Sequence, residues 1–166
     1  MLDIFDYTSC EDIRAVLGVD ALELPDETLG LPIYGNSVLI RLSGMTGSLG
    51  GVSGSVVTIY NSIKSKPVKT DNELYFIALV NQFITYLVAE ACCSGLSMFA
   101  LKSQSDGKAS QTRFSAESAY KDIIGTIREK LASLTGLLEE MMSEDYAYVG
   151  DKFSVVKPAV DRVTGT

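Results

Sequence analysis

Residues 74–101 read LYFIALVNQFITYLVAEACCSGLSMFAL, the one stretch long and apolar enough to raise the question of a membrane. Spanning a bilayer takes about 20 mainly apolar residues. Glu90 lies close to the middle of the stretch, however, and with Asn81 and Gln82 it makes insertion costly, while the flanks carry no one-sided excess of Lys and Arg. A helix that is apolar nearly all round is otherwise one buried in a core or between subunits. The sequence therefore predicts a core helix over residues 72–101, capped by Thr70 or Asp71 and too apolar around its circumference for one small domain to cover.

On its C-terminal side, SQSDGKASQTRF (103–114) places Asp106-Gly107 as a turn between polar flanks, the pattern of a small β-hairpin. Ser115 then caps a second long helix. Its apolar residues Ile124, Ile127, Leu131, Leu134, Leu138 and Met141 step alternately by three and four, which is a heptad seam, and Glu117 to Lys121 is a supporting i,i+4 pair. Such a seam packs on the first long helix or on a neighbouring subunit. After Glu144 the sequence turns β-branched, with Gly150 and Pro158 and too few apolar residues for a core. Residues 146–166 are expected either to fray or to form an extended arm ordered by a partner. As an arm, they would bind through Phe153, Val155, Val156 and Val160, with Lys152, Lys157 and Arg162 as charged contacts.

Towards the N-terminus, Thr8 and Ser9 each precede an acid three residues on, and Gly18 stands where a helix of residues 10–17 should end. ELPDETLGLP (23–32) reads as a turn followed by a second short segment, which Asp26 can cap. Residues 33–42 are a short apolar run read as helix. The five glycines between Gly44 and Gly54 suggest a flexible loop, and 56–63 is another short ordered piece ending before Pro67. The domain division that follows is a helical body, 1–145, and the arm, 146–166.

The chain has 166 residues, 46% apolar and 21% charged, a composition that suits one ordinary globular domain. Its net charge of −7 is uneven: eight acids face the single base Arg14 in residues 1–35, whereas 36–70 hold four bases and no acid. Such an acidic chain repels phosphate backbones, which argues against nucleic-acid reading. Cys10, Cys92 and Cys93 fit neither a disulfide framework nor a zinc spacing and read as buried reduced thiols. The acidic start, MLDIFD, lacks the basic n-region of a signal peptide, so a cytoplasmic site of synthesis is expected.

Chemistry is scarce. The absence of histidine removes the commonest general base and metal ligand. Ser118-Ala-Tyr-Lys121 matches the S-x-x-K spacing, but no S-D-N or K-T-G accompanies it, and a solvated helix face explains it better. The glycines carry no phosphate-loop motif, and the carboxylates Glu90, Glu117 and Glu139 lack the E-x-x-H of a di-iron bundle. A buried Glu90 would call for a hydrogen bond or a basic partner across an interface rather than for catalysis. Neither a catalytic residue nor a metal or cofactor site is expected.

Three features in order, EDIRAVLGVDALELPDETL (11–29), NQFITYLVAEACCSGLSMFALK (81–102) and SDGKASQTRF (105–114) leading into an amphipathic helix, resemble the head-to-tail adaptor, or connector, proteins of tailed bacteriophages. The likeness covers roughly residues 8–142. The C-terminal arm falls outside it; the fold read from the segments themselves is mainly α, a bundle of two long and several short helices with a small β-hairpin and an extended C-terminal arm. The resemblance implies a non-enzymatic virion protein, made in the host cytoplasm, that forms a homo-oligomeric ring of twelve copies in the neck. Its partners would be the portal protein and the next neck or tail protein, with DNA passing through the lumen unbound. A cytoplasmic helical oligomer acting as a binding or regulatory module is the competing expectation.

Overall fold

Short polar side chains start most of the helices, and the chain follows their signals closely. The computed structural model describes residues 2–99 and 116–143, with side chains placed for 2–93 and 121–143. After a 3-10 turn at Ile4–Asp6, helix α1 (Cys10–Leu17) opens on Ser9, whose hydroxyl accepts from the Asp12 N–H at 3.1 Å, and closes on Gly18 in the left-handed region. Arg14 on α1 is buried. Its Nε donates to the Leu24 carbonyl at 2.9 Å and its guanidinium pairs with Asp26, which ties α1 to α2 (Asp26–Leu29). Pro25, not Asp26, occupies the cap position of α2; Asp26 lies inside the first turn, where Arg14 claims its carboxylate.

The apolar run after Pro32 is helix α3 (Pro32–Gly44), with the proline at its start. The glycine-rich stretch that follows is not a flexible loop. Strands β1 (Thr46–Leu49) and β2 (Val52–Ser55) pair antiparallel, Thr46 opposite Ser55 and Leu49 opposite Val52. Gly50 and Gly51 join them at φ +60° and +80°, both positive as a two-residue type I′ turn demands. The hairpin is also anchored from outside, because the Ser48 N–H donates to the Met142 carbonyl at 2.8 Å. A methyl group on Gly47 would lie 2.6 Å from that same oxygen, so only glycine allows this approach.

Ser55 ends β2 and caps α4 (Val56–Lys64), its hydroxyl accepting from the Thr58 N–H at 3.3 Å. Helix α5 (Asp71–Phe99) begins with a reciprocal capping box: the Thr70 hydroxyl accepts from the Glu73 N–H at 3.3 Å, and Glu73 Oε2 accepts from the Thr70 N–H at 2.8 Å. Thr70 is therefore the cap. Helix α6 (Ala116–Met141) packs along α5.

Around α5 the core assembles from every side, with Phe76, Phe83 and Ile84 fully buried against Ile59 and Ile63 of α4, Ile13 of α1 and Leu42 of α3. The heptad seam supplies the α6 side: Ile127, Leu131, Leu134, Leu138 and Met141 are buried. By length and composition Asp71–Cys93 could cross a membrane, yet more than half of its most apolar window is buried inside the chain. A single chain thus covers more than half of that window by itself. The fold is mainly helical, as expected, with a small two-stranded sheet. The hairpin expected at Asp106-Gly107, the Ser115 cap and the arm of residues 146–166 lie outside the described residues.

Candidate functional site

Where α1 crosses the middle of α5, a buried polar cluster interrupts the core. The Thr8 and Thr85 hydroxyls meet at 2.6 Å, and Thr85 also donates to the Asn81 carbonyl one helical turn back at 2.9 Å. Tyr60 donates its hydroxyl to Asn81 Oδ1 at 2.9 Å, while its ring lies against Tyr7 with centroids 4.7 Å apart. Lys64 Nζ sits 5.5 Å from the Tyr60 ring and donates to the Asp6 carbonyl at 3.1 Å. Burial pushes both phenols up. With Oδ1 engaged, the hydrogen-bonding capacity Asn81 retains is chiefly its amide N–H donors.

This cluster forms the wall of an open groove between α1 and α5. The groove has a volume of about 410 Å³ and is lined by Asp12, Val16, Asn81, Gln82 and Tyr86 among others. A second hollow, about 490 Å³, shares Ala15, Val16 and Tyr86 with the first and continues onto α6 along Asp122, Ile123 and Thr126. Together they make one furrow across three helices, with Val16 and Ile123 as apolar floor and the carboxylates of Asp12 and Asp122 at its rims. Among the described residues no Lys or Arg lines either part. Such a lining offers shape, hydrogen bonds and negative charge, which suits binding a segment of chain.

A smaller hollow of about 190 Å³ lies between α3, α5 and α6. Burial and a hydrogen bond with Cys92 push the Tyr34 phenol there up to about 12. At its edge Glu90 Oε1 accepts from Arg128 Nε at 2.8 Å. The expected basic partner of Glu90 thus comes from the same chain, and the pair is partly in water rather than buried in an interface.

The sequence-predicted packing residues are brought together, but within one chain: Ile127, Leu131, Leu134 and Leu138 are buried facing α5 and only Ile124 is half-exposed. They are core residues first. Phe153, Val155, Val156, Lys157, Val160 and Arg162 belong to the segment outside the described residues. Lys121 is exposed on α6, and the side chain of Ser118 is likewise not described. Cys92 and Cys93 are buried and Cys10 half-buried, all three as free thiols raised by burial. Among the described residues no cluster of three or more acids and cysteines is arranged to hold a metal.

Sequence reading did not find the furrow. Asn81 and Gln82 stood out only as interruptions of an apolar run, and they prove to be the polar part of its wall. Comparison with family models, with curated proteins and with solved structures returns no match for this chain.

Proposed function

We propose that the chain is a non-enzymatic structural protein of a tailed-phage neck, a head-to-tail adaptor that forms a ring beneath the portal and joins the DNA-filled head to the tail. The sequence resemblance in residues 8–142 supports this reading. The observation that carries it is the exposure of large apolar side chains on two different elements. One set is Leu31, Ile33 and Ile40 at α3, with Ile33 65% and Ile40 75% exposed; the other is Val68, Leu74 and Tyr75 at the start of α5. A head-to-tail ring needs two different surfaces on every subunit, whereas a two-fold dimer needs only one that matches itself. In this reading twelve copies close the ring, the portal and the next neck or tail protein dock on its two ends, and DNA passes through the lumen without specific binding. The mature location is the virion neck, after synthesis in the host cytoplasm. No cofactor takes part.

Electron microscopy of the purified protein, alone and mixed with its portal, tests the proposal: rings stacked on the portal are expected, and free portal beside free subunits would refute it. The furrow across α1, α5 and α6 favours a second reading, a helical module that binds and regulates a partner chain. Light scattering separates the two, since that module would remain a monomer or small oligomer with or without portal.

A further inference from the structure

We infer that the furrow between α1, α5 and α6 seats residues 152–162 of the chain itself, KFSVVKPAVDR, as an extended segment. The inference stands on the furrow and this segment and does not depend on the neck assignment. Charge matches first: Asp12 and Asp122 line the furrow with no base among its described lining residues, while the segment carries Lys152, Lys157 and Arg162 against one acid, Asp161. Polarity matches next. An extended backbone presents an N–H and a C=O at nearly every residue, and the amides of Asn81 and Gln82 bring donors and acceptors suited to them. The apolar floor at Val16 and Ile123 offers places for Phe153, Val155 or Val156. Pro158 breaks a β-ladder, which disfavours pairing on the edge of β1, but a groove read by side chains tolerates it.

Reach also fits. Helix α6 runs from the furrow residues Asp122–Ile127 to its end at Met141, a distance of roughly 20–30 Å at about 1.5 Å per residue. The described chain stops at Ser143, so residues 144–151 are the connection. Extended, they span up to about 27 Å, enough to return along α6 and deliver Lys152 to the level of Asp122.

The test uses the full chain with p-benzoylphenylalanine replacing Phe153, and maps photo-crosslinks by peptide mass spectrometry. Crosslinks to the peptides holding Ala15–Val16 or Ile123–Ile127 are expected within one copy; such crosslinks only between copies, told apart by mixing isotope-labelled and unlabelled chains, would overturn the inference. Asp12→Asn with Asp122→Asn should lower their yield roughly fivefold to tenfold, as for the loss of two exposed ion pairs. Lys152→Glu with Lys157→Glu leaves the helical body untouched and should do the same, so a loss there cannot arise from misfolding. Crosslinks predominantly elsewhere, no crosslink to the body, or a furrow signal indifferent to both charge changes would overturn the inference.

Discussion

Helices α5 and α3 are both apolar runs in the sequence, and they meet opposite fates. Helix α5 is enclosed by α1, α4 and α6, and its Phe76, Phe83 and Ile84 lose all contact with water. Helix α3 buries Val38 and Leu42 on one side and leaves Ile33 and Ile40 exposed on the other. The difference teaches that apolar content alone does not identify the core. What decides is whether a neighbouring element carries a matching stripe, as α6 does for α5.

The comparison breaks most visibly at Ile127, on the covered side. Ile127→Lys places an unpaired charge against α5 and should cost several kcal/mol, enough to abolish the cooperative thermal transition followed by circular dichroism. A transition within a few degrees of the parent would mean that α6 is not fixed on α5. Gly47→Ala asks whether the hairpin is fixed as firmly as the core. The added methyl meets the Met142 backbone, so a loss of about 1–3 kcal/mol in denaturant unfolding is expected, and a neutral result would show that the contact yields.

A smaller effect is expected at Glu73, next in sequence to the exposed Leu74 and Tyr75. Lys66 donates to its carboxylate at 2.5 Å, and with the Thr70 N–H it holds the carboxyl below the ordinary glutamate range. Because the folded value is depressed, the stabilisation is complete above the unfolded value near 4.5 and fades as pH falls through the lower folded value. Glu73→Gln should therefore cost about 1 kcal/mol at neutral pH and flatten the acid limb below about pH 4.5. An unchanged limb would assign acid sensitivity to other carboxylates. The smallest effect belongs to Ser118→Ala with Lys121→Ala, expected to change stability by less than about 0.5 kcal/mol. Loss of a measurable hydrolase activity in that variant would contradict the non-enzymatic reading.

Much of the helical framework could be read locally. Ser9 and Gly18 bracket α1, Thr70 and Glu73 start α5, and the seam from Ile127 to Met141 marks the covered face of α6. These signals operate within a few turns of one helix. The hairpin was missed although Gly50-Gly51 between Leu49 and Val52 is a turn signal, because three further glycines nearby made the whole stretch look mobile. Gly47 is needed by Met142, far along the chain, and no local pattern announces that. The furrow was illegible for the same reason: Asp12, Gln82 and Asp122 come from three helices whose faces meet only in the folded chain.

In the proposed ring the open α3 face receives a neighbouring copy. Ile33→Lys with Ile40→Lys tests it, measured by light scattering and electron microscopy of the variant and the parent chain, each with and without portal. The variant is expected to melt within a few degrees of the parent, as exposed substitutions usually do, yet to fail to form rings where the parent forms them. Rings of undiminished yield from the variant, or a parent chain that stays monomeric even on its portal, would contradict it.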